Sequence, residues 1–188
     1  MSPWHCVRHQ YVYVTSTTHG KVPSRLTESR MRVYVWMPVD NLVGHSSLRL
    51  SDGTYISWWP DADKEKQLPL VTLKARSSPS LAKDIRSEGR RPTHIFNIRN
   101  RFQEEQIKQW WETYKHEGSY ILGSTNCCWI VYRALTEGGA PWQYNVTPWR
   151  PNDVKCYCES LNEYYQATVK KSPSEEKREK ETSFLDPF

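Results

Sequence analysis

The spacing of apolar residues changes along the chain from the two-residue period of strands to the longer period of helices. Five segments rich in β-branched and aromatic residues predict strands, at 11–14, 32–37, 43–50, 54–59 and 94–98. Pro38 ends the second strand, and Asp52-Gly53 between the third and fourth predicts a hairpin turn. The first half of the chain is therefore expected to form an antiparallel sheet.

Two later segments have the helical period. The first begins at Asn100 and ends at Gly118, and its apolar positions are Ile107, Trp110, Trp111 and Tyr114. The second begins at Cys127 and ends at Gly138-Gly139, and its apolar stripe is Ile130, Val131, Ala134 and Leu135. Each helix should pack one face on the sheet, which gives an α+β fold.

The loop length of the hairpin decides which side chains share a face with His45. A two-residue loop mixes polar and apolar residues on both faces, whereas a three-residue loop with the glycine in the left-handed conformation pairs Leu48 with Ile56 and gives one apolar side. In that register Trp59 lies across from His45 and Ser57 is a diagonal neighbour. We therefore predict that Ser57 helps to orient the imidazole ring.

Cys127 is the candidate nucleophile because three capping residues, Ser124-Thr125-Asn126, precede it directly. A thiol in the first turn of a helix meets unpaired N–H groups and the positive end of the helix dipole, which favour a thiolate. Cys127 is spaced to face the core, and Cys128 is expected to turn partly away. The residues alone leave open which thiol reacts, and a buried inert cysteine with an unrelated surface histidine is the alternative.

Length and charge predict one domain over residues 1–167. Within it, residues 61–91 are charged and rich in Ser and Pro, which predicts a long surface excursion. Residues 168–188 hold five basic and five acidic residues and almost no apolar ones, so they predict a flexible tail. The net charge of +5 therefore belongs to the body, where an anionic partner is one expectation.

The chain shows no secretory signal pattern and no run of 18 apolar residues, so a cytoplasmic protein is expected. Five cysteines, an odd number, favour reduced thiols over a disulfide scaffold. Cys156-x-Cys158 lacks a second such pair, so no metal and no cofactor are predicted. Nine Trp and eleven Tyr favour an aromatic-lined groove.

Two separated motifs resemble one family. Gly44-His45 followed by a strand, an Asp-Gly turn and a second strand, and later Asn126-Cys127-x-x-x-Val131 at a helix start, resemble the circularly permuted papain-like fold of the NlpC/P60 superfamily, in its lecithin-retinol-acyltransferase-like branch. A closing Thr147-Pro148-x-x-Pro151-Asn152-Asp153-Val154 segment extends the resemblance, which covers residues 31–60 and 119–161. The implied fold is an antiparallel sheet packed against helices, with the cysteine at a helix N-terminus.

The resemblance implies a thiol enzyme in which Cys127 attacks a carbonyl and His45 acts as general base and acid. The Cys127 N–H would bind the oxyanion, with Asn126 or Ser124 as side-chain support. Trp58 and Trp59 would line the substrate cleft. The branch carries a second histidine where this chain has Ser57, which leaves the third catalytic residue open.

The expected function is a cysteine hydrolase of the peptidase or amidase type acting through an acyl-enzyme. A thiol acyltransferase on a lipid or protein amine is the first alternative, and an inactive interaction module on the same fold is the second. Expected substrates are a peptide, a protein or a small acyl-bearing molecule. A nucleic-acid binder is disfavoured because the basic clusters are short and no nucleic-acid motif is present.

Overall fold

The computed structural model describes residues 12–13, 30–61, 69–98, 102–143 and 146–170, the side chains of 12–13, 142–143 and 167–170 excepted. Its strands are β1 (Val12–Tyr13), β2 (Met31–Trp36), β3 (His45–Arg49), β4 (Tyr55–Ile56), β5 (Trp58–Pro60), β6 (Ala75–Ser77), β7 (His94–Ile98) and β8 (Trp142–Gln143). Its helices are α1 (Leu81–Glu88), α2 (Glu104–Glu117), α3 (Cys127–Glu137) and α4 (Pro151–Lys170). The chain is thus an α+β protein.

A four-stranded antiparallel sheet in the order β4-β3-β2-β7 forms the centre. Strand β2 lies inside the sheet, and consecutive residues from Val33 to Trp36 are buried, so both of its faces are covered. That explains why its sequence lacks strict apolar–polar alternation. The pairing of Trp36 with His45 places the histidine at the end of β3, where the chain enters the sheet.

The predicted hairpin register is confirmed. Leu48 pairs with Ile56, the Leu50 N–H donates to the Thr54 carbonyl at 2.9 Å, and Gly53 has a φ of +97°. The predicted fourth strand, however, divides at Ser57. Residues before it stay in the central sheet, whereas β5 leaves to pair with β6.

Helices α2 and α3 pack against each other, and α3 covers β3. Along α2 the buried residues are Ile107 and Trp111, as the apolar spacing predicts. The helix begins at Glu104, four residues later than predicted, and Asn100 lies outside the described residues. The predicted stripe of α3 is fully buried, so the helical period identified the core face correctly.

The segment 61–91, predicted to be a long surface excursion, takes part in the fold. It contributes β6 and α1, and α1 begins after Ser80, whose hydroxyl accepts from the Lys83 N–H. Within this segment, Leu73 also forms an isolated bridge to Tyr120. The prediction failed because polar residues dominate a helix that is short and buries carboxylates rather than an apolar stripe.

Helix α4 was not predicted. It begins at Pro151, a favourable residue in a first turn, and the Asp153 carboxylate accepts from the Arg150 N–H at 2.8 Å. The helix crosses the predicted tail boundary at 168 and continues to Lys170, and residues 171–188 lie outside the described part. Within the described residues, no helix combines the length and apolar character needed to cross a bilayer.

Candidate active site

Asn126 fixes the start of α3. Its Oδ1 accepts from the N–H groups of Cys128 and Trp129 at 2.9 and 3.0 Å, and its Nδ2 donates to the carbonyls of Leu122 and Trp149 at 2.8 and 2.9 Å. Both amide hydrogens are therefore used, and the side chain leaves no donor for an oxyanion. Asn126 caps the helix and ties it to the loop that precedes α4.

Gly44 brings His45 to this helix end. Its φ is +82°, and a Cβ added there would lie 2.3 Å from the Trp36 carbonyl oxygen, so only glycine fits this entry into β3. His45 follows, buried and in hydrogen-bonding contact with Cys127. The Ser46 hydroxyl also reaches the Cys127 carbonyl at 3.4 Å. The fold thus joins the imidazole and the thiol that the sequence singled out.

Asp84 completes the arrangement from α1. His45 Nε2 lies 3.3 Å from Asp84 Oδ2 and 3.0 Å from the Ser57 hydroxyl, which leaves Nδ1 to face the thiol. Asp84 also accepts from the Tyr55 hydroxyl at 2.8 Å and from Trp59 Nε1 at 2.9 Å. The carboxylate is fully buried and held on both oxygens. Ser57 lies next to the His45 ring, as the register predicts, but Asp84 contacts the same ring nitrogen.

Sequence reasoning missed Asp84 because the whole segment 61–91 was assigned to the surface. A local signal existed: Ser80 precedes three good helix formers, Leu81-Ala82-Lys83, and an acidic residue in a first turn suits the helix dipole. That signal predicts a helix but gives no direction for the Asp84 side chain. Only the pairing of β5 with β6 brings this helix over His45.

The two tryptophans predicted to line the cleft have different surroundings. The Trp59 ring stacks on the His45 ring, with centroids 4.2 Å apart and planes at 28°. Trp58 is almost fully buried and packs edge-on against Trp111 and Tyr114, although it also borders a small cavity. Trp59 restrains the imidazole, and Trp58 belongs mainly to the core.

The charges of the site favour an ion pair. A hydrogen bond from Cys128 and the positive charge of His45 lower the pKa of Cys127 well below the usual thiol value, against the effect of burial. Burial alone would lower the pKa of His45, but the Cys127 thiolate and Asp84 raise it to about 9. Burial would raise the pKa of Asp84, and His45 lowers it to about 2. A thiolate and an imidazolium therefore coexist at neutral pH.

Cys128 does not turn away from the core as predicted. It is 2% exposed, and its Sγ lies 4.0 Å from the Cys127 Sγ. Burial and the neighbouring thiolate raise its pKa, so it remains a thiol. The first turn of a helix at the edge of a sheet buries both side chains, which the apolar spacing of α3 alone did not indicate.

Two cavities meet at Cys127. The larger, of about 500 Å³, is mainly apolar and is bordered by Leu42, Leu122, Pro148 and Trp149 among others. The smaller, of about 140 Å³, is more polar and is lined in part by His45, Trp59, Ser87 and Glu88. Ser124, predicted as oxyanion support, lines neither of these cavities. Cys127 thus has an apolar space on one side and His45 on the other.

The remaining cysteines have separate environments. Cys158 is buried and free, whereas Cys156 is disulfide-bonded, so the expectation of reduced thiols is wrong at this position. The number of cysteines could not show it, since a single bridge depends on which thiols the fold brings together. In the described part of the chain, no three His, Cys, Asp or Glu side chains converge as a metal site requires.

The fold and site define an α+β protein with a buried cysteine, histidine and aspartate in contact. Residues 102–181 match the family model of the IcsB middle domain. The matched stretch is less than half of the chain and contains Cys127 but neither His45 nor Asp84. No curated protein and no solved structure matches this chain.

Proposed function

We propose that this protein is a cysteine-dependent enzyme that forms an acyl thioester on Cys127, built on a permuted papain-like fold. The contact of Cys127 with His45, and of His45 with Asp84, carries the proposal. A buried thiolate–imidazolium pair costs desolvation free energy, and such perturbed pairs concentrate at functional sites. An inert cysteine in a core gains nothing from this arrangement.

Each residue has a defined part in the reaction. The Cys127 thiolate attacks the acyl carbonyl, and the His45 imidazolium donates its proton to the leaving group. Asp84 accepts from Nε2, keeps the ring in place and stabilises its positive charge. The Cys127 N–H in the first turn of α3 and the buried Tyr120 hydroxyl, in hydrogen-bonding contact with Cys127, are the candidate oxyanion donors.

The larger cavity supports an apolar acyl group. Its volume of about 500 Å³ falls in the range of small-molecule sites, and Leu122 and Trp149 border it next to the nucleophile. A hydrocarbon chain would bury its surface there without leaving polar groups unpaired. This favours an acyl donor with a carbon chain over a peptide or other polar amide.

Transfer to an amine is the second candidate for the fate of the thioester, beside hydrolysis. The smaller cavity contains His45, the group that would activate an acceptor, and the buried carboxylate of Glu88. Glu88 is ion-paired with Arg90 at 3.6 Å, and its negative charge favours an amine, bound as the ammonium ion and deprotonated before it attacks, over a neutral alcohol. Water needs no such pocket, so this observation favours transfer.

The test is intact-protein mass spectrometry after incubation with p-nitrophenyl esters of acetate, octanoate and palmitate. We expect one acyl group on the wild-type chain, located on Cys127 by peptide mapping, and none on Cys127→Ala. The matched control Cys158→Ala removes another buried thiol and should be labelled as the wild type is. An unlabelled wild type, or acylation of Cys128, would overturn the proposal and favour an inactive interaction module or a different nucleophile.

A second measurement separates hydrolysis from transfer. Primary alkylamine added to the octanoyl-enzyme should accelerate loss of the thioester and yield the amide, and Glu88→Gln should reduce this acceleration while leaving thioester formation unchanged. If the amine has no effect and octanoate is the product, the enzyme is a hydrolase.

A further inference from the structure

We propose that Cys128 is a positioning residue for the nucleophile, with its S–H donating a hydrogen bond to the Cys127 sulfur throughout the reaction. The inference rests on the proposed function only in taking Cys127 as the reactive thiol. Cys128 itself stays protonated, and no bond to its sulfur forms or breaks. The reaction steps proposed above assign no part to this second thiol.

The geometry of the first turn of α3 puts the two sulfurs in contact. They are 4.0 Å apart, both side chains are buried, and both border the larger cavity. The Cys128 N–H is bound to Asn126 Oδ1 at 2.9 Å, so the backbone that carries the thiol is fixed. A weak donor such as S–H is most effective against an ionised acceptor in a buried site.

The proton belongs on Cys128 rather than on Cys127. His45 contacts Cys127 and stabilises negative charge there, whereas burial and the adjacent thiolate raise the pKa of Cys128. The Ser46 hydroxyl, on β3, donates to the Cys127 carbonyl at 3.4 Å and so helps to fix the peptide unit that joins the two cysteines.

The other ionisable groups around the pair come from every neighbouring element. They are His45 from β3, Asp84 and Glu88 from α1, Tyr120 from the loop before α3, and Asp153 from α4. Three of these are carboxylates, which oppose a thiolate. The S–H of Cys128, the imidazolium of His45 and the Ser46 backbone N–H favour it.

The hydrogen bond should act on two steps. It raises the fraction of Cys127 present as thiolate at mildly acidic pH, and it stabilises the same thiolate as the leaving group when the thioester is cleaved. In the acyl-enzyme the sulfur carries no charge, so the bond is weakest there. Cys128 would thereby favour release of the acyl group.

The experiment measures the rate at which iodoacetamide labels Cys127, by peptide mass mapping, from pH 4.5 to 9.5. With Cys128→Ala we expect the rate profile to move to higher pH by about one unit, so that labelling on its acidic limb is slower by about tenfold. Cys128→Ser replaces the thiol with a hydroxyl of similar size and should retain a profile close to the wild type. Cys158→Ala, a buried cysteine on α4, should leave the profile unchanged.

The outcomes distinguish this inference from the proposed function. If Cys128→Ala and Cys128→Ser both keep the wild-type profile, Cys128 is a packing residue and the inference is wrong. If both shift equally, the loss is of packing rather than of a donor, and the inference is again wrong. A wild-type Cys127 that is unreactive below pH 7 would remove the proposed function together with this inference. If Cys128→Ala fails to fold, Cys128→Val takes its place as the variant without a donor, and its labelling profile is compared with that of Cys128→Ser.

Discussion

His45 is a buried imidazole that carries a positive charge because two anions face it. Burial would normally make it neutral, but Cys127 and Asp84 together raise its pKa to about 9. Trp59 stacks on the ring and Ser57 shares Nε2, so the ring has little freedom to turn. The reactivity of the thiol at a given pH is therefore set mainly by the residues that hold this imidazole.

Replacing His45 by alanine should move the labelling of Cys127 toward the pH of an ordinary thiol. The imidazolium lowers the pKa of Cys127, so without it the thiolate fraction at pH 6 should fall and iodoacetamide labelling there should slow by at least about tenfold. His94→Ala, a change on β7 outside the site, should leave the profile as it is. Equal rates for His45→Ala and wild type at pH 6 would contradict the ion pair.

Asp84→Asn should act through His45. The carboxylate raises the pKa of His45, so its removal should lower that pKa and bring the alkaline loss of acyl-enzyme formation from about pH 9 to a lower pH. Turnover should fall by about 10²–10⁴, the range for an orienting aspartate. The measurement is the pH–rate profile with p-nitrophenyl octanoate, with Asp52→Asn on the hairpin turn as the control. If the rate falls at the same high pH in Asp84→Asn as in the wild type, Asp84 does not act through His45.

At the scale of elements, the site depends on how one strand, β3, and one helix, α3, begin. Strand β3 begins at His45 because Gly44 lets the chain pass close to the Trp36 carbonyl, and α3 begins at Cys127 because Asn126 caps it. Neither end tolerates much change, since each fixes a reacting group. The stability of these junctions and the chemistry are thus coupled.

Gly44 and Gly53 both have positive φ, so a comparison of their alanine variants tests whether the start of β3 controls the chemistry. Gly53→Ala meets no atom closer than 3.9 Å, so it should cost only the conformational strain of about 1–3 kcal/mol. Gly44→Ala adds a clash at 2.3 Å with a backbone oxygen, and we expect a larger loss of stability together with slower Cys127 labelling at pH 6. Urea unfolding measures the loss of stability, and peptide mass mapping measures the rate of Cys127 labelling. Equal effects of the two variants would show that the Gly44 junction does not position His45.

At the scale of the whole molecule, separate parts of the chain enclose the larger cavity. Leu42 comes from the loop before β3, Leu122 from the loop before α3, and Trp149 from the loop before α4. The residues that border it are far apart in sequence, so its size is a property of the packed molecule. The acyl chain that the enzyme accepts should follow from that size.

Filling the cavity should shorten the preferred acyl chain. In the wild type, kcat/KM should rise about fourfold for each CH₂ buried, the equivalent of about 0.8 kcal/mol, up to the length the cavity holds. Leu122→Trp should reduce the preference for octanoate over acetate, whereas Ile95→Trp, on the exposed face of β7, should not. The ratio of kcat/KM values for the two esters is the measurement. A wild type that prefers acetate would contradict an apolar acyl site.

Local patterns were sufficient for much of the site. Alternation around the Asp52-Gly53 turn predicted the pairing of Leu48 with Ile56, and with it the placement of Trp59 and Ser57 near His45. These relations hold because a hairpin joins residues close in sequence, so the pleat and turn length decide which side chains share a face.

The capping residues before Cys127 likewise predicted that α3 begins there, since a capping side chain acts within four residues. Contacts between segments far apart in sequence could not be predicted in this way. Asp84 reaches His45 only because β5 leaves the central sheet and pairs with β6, and the sequence of 61–91 carries no apolar period that would indicate such a turn inward. Cys128 is buried against Cys127 because loops on both sides close over the helix end.

The sequence by itself predicted that Cys127 begins a helix and that His45 lies on a strand of the hairpin, because each follows from interactions over a few residues. The tertiary structure alone decided the third residue, the protonated second thiol and the two cavities. Those features depend on contacts between segments far apart in sequence. Such contacts are set by the packing of the whole chain rather than by any local pattern.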